Sequence, residues 1–539
     1  MPTLNWIGKE AVVNHHLQVP FHLLKDVPEL SCGDPGQGNL IVEGDNLVAL
    51  KALLPYYAGQ VKCIYIDPPY NTGNENWVYN DNVNSPLIRE WLGKTVGKEG
   101  ETLDRHDRWL CMMYPRLALL RQFLRDDGAI FVSIDDNEAQ ALRYVMDEIF
   151  GGSNFIATVL WQKVYSPKNS ARHFSEDHDY IVVYAKRADE WRPNLIRRSE
   201  QQDSAYKNRD ADPRGQWKTG DLSARNFYSQ GTYEIVCPSG RVIPNPPKGM
   251  YWRVSKEKFL EMDRDKRIWW GRDGGAIPQI KRFLNEVKQG VVPQTMWFYE
   301  DVGHTQDAKK ELLEAVEFAD SESVFITPKP TRLIQRVLEI GSNPGDLVLD
   351  SFAGSGTTGH AVLKLNHATH NEEPRRFILV EMEPKIANDV AAMRVRRASQ
   401  GYDNVKSERV EGLGGGFRYC RLGEPLFDET GKIRESVTFG ELGRHVYFTE
   451  TGEPLPRERV PNSPFLGECR GVGIYLLYNG ILGDRSANGG NVLTRAVLAR
   501  LPRFEGQRVV YCEGCLLGRD RLRAERIVVR QIPYEIKVS

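Results

Sequence analysis

Residues 347–359 read LVLDSFAGSGTTG, and this stretch predicts the class of fold. Its first half is a short apolar run, Leu347-Val348-Leu349, which favours a buried strand that ends at Asp350. Its second half has glycines at positions 354, 356 and 359, in the spacing G-x-G-x-x-G, and we expect a helix to begin near His360. A strand, a glycine turn and a helix in this order predict an α/β fold that binds a ligand at the turn.

The glycines alone do not choose that ligand. The next apolar run, Phe377 to Val380, ends at Glu381, whose carboxylate we expect to hold the hydroxyls of a ribose. A nicotinamide dinucleotide places its pyrophosphate at the helix N-terminus, whereas S-adenosylmethionine has no phosphate and lays its methionine part over the same glycines. Both cofactors remain open on this motif.

A second motif, Asp67-Pro68-Pro69-Tyr70, follows the apolar run Cys63-Ile64-Tyr65-Ile66. The exocyclic amino group of a nucleobase is a poor nucleophile, because its lone pair is delocalised into the ring. The Asp67 carboxylate and the Pro68 carbonyl can each accept one hydrogen of such a group and free the lone pair for an electrophile. Tyr70 offers an aromatic face for stacking the base. The motif favours methyl transfer over hydride transfer, so S-adenosylmethionine is the expected cofactor and an NAD-dependent dehydrogenase is the remote alternative.

Strands and helices alternate around both motifs. We predict strands at residues 40–42, 63–66, 129–134 and 154–161, and helices at residues 107–124, 138–150 and 331–340. This alternation predicts a parallel sheet. Both motifs then meet at the carboxyl edge of the sheet, where open α/β folds bind their ligands.

The order of the two motifs resembles that of the β-class DNA amino-methyltransferases, in which DPPY precedes FxGxG. The chain is most similar to modification subunits of type III restriction systems and their stand-alone relatives, with Glu43-Gly44-Asp45-Asn46-Leu47 before DPPY and Asn71-Thr72-Gly73 after it. The resemblance covers residues 38 to 400 approximately. It implies a Rossmann-like methyltransferase core with permuted motif order, and a catalytic set of Asp67, Pro68, Pro69 and Tyr70.

The same resemblance implies S-adenosylmethionine as the cofactor, and methyl transfer from a sulfonium needs no metal. It places Thr327-Pro328-Lys329-Pro330-Thr331 at the start of the helix beside the methionine end of the cofactor. The implied cofactor-binding residues are Asp45, Asn46, Lys329, Thr331, Asp350, Phe352, Gly354, Ser355, Gly356, Thr357 and Glu381.

The net charge of −1 hides a basic region between the two motifs. Residues 163–288 contain 25 Lys and Arg against 17 Asp and Glu, interleaved with Trp191, Trp217, Trp252, Trp269 and Trp270. Basic groups neutralise phosphates and aromatic rings stack on bases, so we expect this region to bind double-stranded DNA. We also expect residues 69–105, rich in asparagine, glycine and charge, to form a flap that closes on the DNA.

These observations divide the chain into four parts. Residues 1–164 are the catalytic half of the core, 165–324 a target-recognition insertion, 325–413 the cofactor-binding half, and 414–539 a C-terminal domain for dimerisation or partner docking. In the last part, Val446-Tyr447-Phe448 is β-like and residues 526–532 predict a strand, whereas residues 474–478 suit either a strand or a buried helix.

Composition agrees with an intracellular enzyme of several domains. The 539 residues exceed the size of one core, and 41% of them are hydrophobic. No apolar run approaches the roughly 20 residues of a membrane span, and no signal peptide is recognisable, so we expect a cytoplasmic protein with no membrane partner.

Eight scattered cysteines form no disulfide framework. Gly93-Lys94-Thr95 lacks the first glycine of a P-loop, which would fall at Ile88, so ATP use or DNA cleavage would belong to a restriction subunit.

The sequence therefore predicts a site-specific DNA methyltransferase that modifies the N6 of a flipped adenine, and the resemblance implies a homodimer. Cytosine N4 methylation remains open because that amino group needs the same pocket, although related enzymes more often have serine at the position of Asp67. A DNA-reading modification subunit of a restriction complex is the third alternative.

Overall fold

The computed structural model describes the following residues: 4–34, 38–72, 86–96, 104–198, 203–287, 290–318, 327–369, 372–404, 407–455, 463–478, 481–483 and 490–532. By their internal contacts these residues form two compact units. One comprises residues 1–193 and 294–539, and the other comprises residues 194–293.

A ten-stranded sheet lies at the centre of the larger unit. Numbered along the chain, its strands are β1 (His22–Asp26), β2 (Leu40–Glu43), β3 (Val61–Ile66), β4 (Leu124–Ile134), β5 (Phe155–Gln162), β6 (His178–Ala185), β7 (Met296–Trp297), β8 (Leu347–Asp350), β9 (Arg376–Glu381) and β10 (Arg418–Pro425). Their order across the sheet is β1-β10-β2-β9-β8-β3-β4-β6-β5-β7. The predicted strands at residues 40–42, 63–66, 129–134 and 154–161 are all present, and the predicted α/β class is confirmed.

The predicted parallel sheet is present at the centre, and antiparallel strands extend it on both sides. The six strands from β10 to β4 in this order form five parallel pairings, but β6 runs antiparallel to both β4 and β5, and β1 runs antiparallel to β10. The chain turns back after β5 without a crossover helix, and a direct return of this kind reverses the strand direction.

Helices cover the sheet at Lys9–Val12, His15–Gln18, Asn46–Tyr57, Pro86–Val96, Arg105–Phe123, Ala139–Met146, Tyr299–Val302, Thr305–Ala315, Thr331–Gly341, Thr357–Ala368 and Met393–Gln400. The predicted helices at 107–124, 138–150 and 331–340 are confirmed within a few residues, the second continuing as a π-helical turn through Gly151. The strands at the centre of the sheet are buried on both faces, as β3 and β8 show by having no exposed residue.

The described part of the smaller unit contains short strands and a nine-residue helix. Trp217–Asp221, Gln279–Phe283 and Ile268–Trp269 form an antiparallel sheet, Ser223–Ala224 pairs with Tyr251–Trp252, Ile235–Val236 pairs with Val242–Ile243, and Lys256–Arg264 is the helix. The unit is narrower than the predicted insertion of 165–324, which also contains β6 and β7 of the central sheet.

The tryptophans of the basic region do not form one DNA-stacking surface. Trp217 and Trp252 are fully buried in the smaller unit, and Trp191 is buried in the larger one. A unit of this size with such short strands depends on large side chains to build a core. Among the described residues of the smaller unit, Phe227 is the most exposed aromatic residue. Its ring contacts the ring of Tyr251 edge-on.

The C-terminal part joins the central sheet before it forms its own. The predicted boundary at residue 414 is followed at once by β10, a strand between β1 and β2. Further on, a four-stranded sheet contains Phe465–Cys469, Val472–Leu476, Gln507–Cys512 and Ile527–Gln531, with helices at Phe439–Thr451, Arg495–Arg500 and Arg519–Ala524. The strand predicted at 526–532 is thereby confirmed, and the ambiguous run at 474–478 begins as a strand.

The β-like prediction for Val446-Tyr447-Phe448 is wrong, because these residues lie in the helix Phe439–Thr451. The helix begins with a capping box in which Thr438 and Glu441 bond each other's backbone amides. Leu442 and Val446 are one turn apart and both are fully buried, so the apolar residues follow helical spacing.

Two further expectations concern the flap and membrane-spanning segments. The predicted flap of 69–105 falls largely outside the described residues, which include 69–72, the helix Pro86–Val96 and 104–105 of this segment. Within the described part of the chain, no helix has both the length and the apolar character that a membrane span requires.

Candidate active site

The two sequence motifs meet at one edge of the central sheet. Strands β3 and β8 are parallel neighbours, with Ile64 in register with Leu349, so Asp67 after β3 and Asp350 at the end of β8 emerge on the same side. One cavity is lined by Tyr65, Asp67, Thr327, Pro328, Lys329, Asp350, Phe352, Ala353, Gly354, Ser355, Thr357 and Thr358. The structure thus brings the DPPY motif, the TPKPT segment and the glycine turn together around one space.

Asp67 is paired with Lys329, which the resemblance places beside the cofactor. Lys329 Nζ lies 2.5 Å from Asp67 Oδ2, and the two side chains are only 8% and 12% exposed. Burial raises the pKa of Asp67 above its usual value, and the neighbouring Lys329 ammonium opposes this shift. Lys329 Nζ also lies 5.0 Å from the centre of the Tyr70 ring. The expected role of Lys329 beside the cofactor stays a prediction, while its observed partner is the carboxylate of the DPPY motif.

Residues outside the motif hold the DPPY turn. Trp109 Nε1 donates a 2.7 Å hydrogen bond to the carbonyl oxygen of Pro69, and the Trp109 side chain is fully buried. Asn71 adopts a left-handed φ of 59° and donates from Nδ2 to the Glu138 carboxylate at 2.5 Å. His106 Nδ1 lies 2.7 Å from the same carboxylate oxygen. The buried Glu138 therefore anchors the end of the motif, a role that no local pattern around Glu138 predicts.

The glycine turn takes backbone angles that favour glycine. Gly354 has φ 49° and Gly356 has φ 73°, both in the left-handed region. A Cβ atom on Gly356 would lie 3.0 Å from the backbone of Ala391. The helix Thr357–Ala368 begins directly after Gly356, three residues earlier than the sequence predicted.

Two carboxylates shape this turn from inside. Asp350 accepts a 3.0 Å hydrogen bond from the Phe352 amide and a 2.5 Å bond from the Thr358 hydroxyl. Burial raises the pKa of Asp350 to about 7. Glu381 accepts hydrogen bonds from the amides of Gly354 at 2.8 Å and Glu383 at 2.9 Å. Both acidic strand ends thus support the turn, and the ribose-binding role of Glu381 stays a prediction.

Asp45 and Asn46 lie at the end of β2. Asp45 caps the helix Asn46–Tyr57 by accepting from the amides of Leu47 and Val48. Asn46 Nδ2 donates a 3.1 Å hydrogen bond to the carbonyl oxygen of Ser351, which connects β2 to the start of the glycine turn.

A buried arginine holds this pair. Arg116 Nη2 lies 2.9 Å from Asp45 Oδ2, and its Nε donates to Asn46 Oδ1. The helix that carries Arg116 was predicted, but nothing in the local sequence marks this arginine as part of the site.

Arg394 is a second site residue that the sequence did not reveal. Its side chain is fully buried, and Nη1 donates to the hydroxyls of Thr357 at 2.7 Å and Ser355 at 3.1 Å. Its Nε lies 3.3 Å from His360 Nδ1, so that histidine is a packing residue. An arginine in an amphipathic helix usually indicates a solvent-exposed face, which explains why the pattern gives no signal.

Thr331 is fully buried at the start of its helix. Its amide donates a 2.9 Å hydrogen bond to Glu311, and its hydroxyl accepts a 3.0 Å bond from Lys364 Nζ. Across the described residues, no group of three or more His, Cys, Asp or Glu side chains is arranged to hold a metal ion.

Comparison with known proteins places this geometry in context. Residues 61–393 match a family model described as DNA methylase. The chain is 34% identical over 385 residues to the type III restriction-modification enzyme StyLTI Mod subunit of Salmonella typhimurium, which covers 69% of this chain and 56% of that protein. It is 29% identical over 453 residues to the EcoP15I Mod subunit of Escherichia coli, covering 75% and 67% of the two chains.

A type II relative is more similar in sequence over a shorter stretch. The chain is 46% identical over 331 residues to the type II methyltransferase M1.MboII of Moraxella bovis, covering 61% of this chain and 86% of that protein. The chain spans between 56% and 67% of the length of four type III Mod subunits that it matches. Among solved structures, TTHA0409 of Thermus thermophilus in complex with S-adenosyl-L-methionine aligns with a TM-score of 0.30 and 14% identity over 66% of this chain and 96% of that one.

Proposed function

Because this chain belongs to the DNA methylase family, we propose that it transfers a methyl group from S-adenosylmethionine to the N6 of an adenine in double-stranded DNA. The observation that carries the proposal is the shared cavity, in which Asp67 and the turn from Phe352 to Thr358 face one space. An amino group held at Asp67 would thus lie next to whatever the glycine turn binds.

The cavity fits the cofactor by its own construction. The left-handed Gly354 and Gly356 leave two positions of the turn without side chains, and no Cβ can be added at Gly356 without displacing the backbone of Ala391. Lys329 is the cation among the described lining residues, and it suits a carboxylate such as that of a methionine. S-adenosylmethionine, when bound, supplies a methyl group on a sulfonium.

The chain's own residues would prepare the nucleophile. Ionised Asp67 accepts one hydrogen of the target amino group and the Pro68 carbonyl accepts the other, so that the nitrogen lone pair turns out of the ring. The Tyr70 ring stacks on the extrahelical base. Trp109 and Asn71 keep the turn in place through the bonds to Pro69 and Glu138.

The similarity to type III Mod subunits supports adenine as the target and DNA as the substrate. The same similarity supports a restriction subunit as partner. We also propose that the chain forms a homodimer, which mass measurement in solution tests. We propose a cytoplasmic location, which cell fractionation tests. We propose that the region between the motifs reads the target sequence, which substitution of basic residues in 194–293 tests.

The deciding experiment incubates the purified chain with mixed-sequence DNA and S-adenosylmethionine, then digests the DNA and identifies the methylated nucleoside. We expect N6-methyladenine at one recognition sequence, and N4-methylcytosine would correct the target base. Asp67→Ala should retain cofactor binding by calorimetry and lose methylation. Normal turnover in this variant, or no methylated nucleoside with the wild-type chain, would overturn the proposal.

A further inference from the structure

The partner of Asp67 comes from a distant part of the chain. Lys329 stands 262 positions after Asp67 in the sequence, and its Nζ lies 2.5 Å from Asp67 Oδ2. The other carboxylate oxygen, Oδ1, is buried and has no hydrogen-bond partner among the described residues. Because the same Nζ lies 5.0 Å from the Tyr70 ring centre, the ammonium is within reach of both the acceptor and the aromatic face of the DPPY motif.

The backbone of Lys329 is held in place, whereas its side chain, which pairs with Asp67, can rotate about several bonds. Pro328 and Pro330 flank it and restrict the local φ angles. Its carbonyl oxygen accepts a 3.3 Å hydrogen bond from the Thr357 hydroxyl, which ties this segment to the glycine turn. A lysine side chain has four flexible carbons and a single charged end. The ammonium can therefore leave Asp67 by side-chain rotation alone and remain in the cavity.

The surroundings of Asp67 make this cation necessary. Apart from Lys329, the titratable groups that interact with Asp67 in the described part of the chain are acidic or neutral: Tyr65 and Tyr70 near its own strand, Asp179 on β6 and Asp350 on β8. Asp179 is itself neutralised by Lys163, whose Nζ lies 2.6 Å from its carboxylate. Burial and the nearby Asp179 carboxylate raise the pKa of Asp67, whereas Lys329 and, to a smaller extent, an interaction with the Tyr70 hydroxyl lower it. A protonated Asp67 would present a donor where the mechanism needs an acceptor.

We propose that Lys329 is a positioning residue for Asp67: its ammonium keeps the carboxylate charged and aligned in the base-free enzyme, at the place that the amino group of the target base takes. This inference rests on the proposed methylation of an exocyclic amino group. When the base enters, one N–H of its amino group replaces the ammonium N–H at Oδ2, and no covalent bond changes. Lys329 then stays in the cavity on its fixed backbone, where it continues to neutralise the site.

The first test needs neither DNA nor cofactor. Thermal unfolding is measured from pH 5 to pH 9 for the wild type, Lys329→Met, Asp67→Asn and the double variant. In Lys329→Met the folded-state pKa of Asp67 rises further above its unfolded value of about 3.9. The neutral Asp67 carboxyl then adds to the free energy of unfolding at low pH, and this contribution is lost as the pH rises through the pKa of Asp67 in the folded protein. We expect the melting temperature of Lys329→Met to fall with pH more steeply than that of the double variant, which has no carboxyl at position 67.

Parallel melting profiles for Lys329→Met and the double variant would overturn the proposal, because Asp67 would then ionise independently of Lys329. Both variants retain Asp350 and Asp179, so these two carboxyls titrate in each of them. If Lys329→Met does not fold, Lys329→Gln takes its place as the neutral variant and is compared with its own double variant with Asp67→Asn.

The second test uses the pH dependence of methylation in single turnover. An opposite charge within a few ångströms lowers a carboxyl pKa by about 1–3 units. We therefore expect the acid limb of the profile to move upward by at least about one pH unit in Lys329→Met, and to stay in place in Lys329→Arg, which keeps the charge.

A Lys329→Met variant with weaker cofactor binding and an unmoved acid limb would overturn the proposal and make Lys329 a cofactor ligand only. If the wild-type chain methylates no DNA, the proposed function fails. The unfolding experiment still decides whether Lys329 controls the charge of Asp67, so the two failures are distinguishable.

Discussion

Arg394 Nη1 donates a 2.7 Å hydrogen bond to the hydroxyl of Thr357, the first residue of the helix that follows the glycine turn. The same nitrogen reaches the Ser355 hydroxyl at 3.1 Å. Because the Arg394 side chain is fully buried, burial lowers its pKa to about 10, and the hydroxyls of the turn take the place of solvent. The helix Met393–Gln400 thus holds the glycine turn from behind.

Replacing this guanidinium should loosen the turn. Arg394→Met keeps most of the side-chain volume but leaves the two buried hydroxyls without their donor, which costs about 1–3 kcal/mol for a buried group. We expect denaturant unfolding to show a loss of this size, together with weaker S-adenosylmethionine binding. Arg397→Met is the matched control, since Arg397 pairs with the exposed Glu317 and such pairs contribute about 0–1 kcal/mol. Equal losses in the two variants would contradict the role of Arg394.

A methyl group at Gly356 should damage the cofactor site. Gly356→Ala places a side chain at φ 73° and brings its Cβ to 3.0 Å from the backbone of Ala391. The left-handed conformation alone costs roughly 1–2 kcal/mol, and the contact adds to it. Gly431→Ala is the control, because Gly431 has φ 78° but no atom within 4 Å of the added Cβ. We expect calorimetry to show reduced cofactor affinity for Gly356→Ala alone, and unchanged affinity there would argue against the turn as the cofactor site.

Asp350 should make the protein less stable as the pH rises towards neutrality. Burial raises its folded-state pKa to about 7, whereas an unfolded aspartate titrates near about 3.9. The stability from the neutral carboxyl is fully present below about pH 4 and is lost as the pH rises through about 7, at up to about 1.4 kcal/mol per pH unit. Asp350→Asn should flatten this dependence in urea unfolding between pH 5 and pH 8. A slope identical to that of the wild type would exclude Asp350 as its source.

His445 should limit stability on the acid side. It is 1% exposed, its ring centre lies 4.4 Å from that of Phe21, and burial lowers its pKa to about 3. An unfolded histidine takes up a proton near pH 6.5, roughly its ordinary pKa. Stability is therefore fully present above about pH 6.5 and lost as the pH falls towards about 3. His445→Phe should move the acid-unfolding midpoint to lower pH, whereas the same change at the exposed His173 should not. Equal shifts would contradict the prediction.

Local patterns predicted most elements of the core correctly. The runs at 40–42 and 63–66 became β2 and β3, and the amphipathic stretch at 107–124 became the helix Arg105–Phe123. The sequence contains a signal against the wrong β-like prediction for Val446–Phe448, because Thr438 and Glu441 have the spacing of a capping box that starts a helix.

The direction of β6 could not be predicted in this way. Its apolar residues Ile181, Val182 and Val183 indicate a strand, but they suit either direction in a sheet. The pairing with both β4 and β5 decided it, and this pairing brings Asp179 to the edge near Asp67.

The sequence by itself determined the class of fold, the DPPY motif and the glycine turn, because each depends on functional groups and backbone angles within a few consecutive residues. Only the tertiary structure decided that Lys329 pairs with Asp67 and that Arg394 holds Thr357. These contacts join side chains whose distance is set by the order of strands in the sheet and by the packing of helices on it. Their energies arise from burial away from water, which no local pattern encodes.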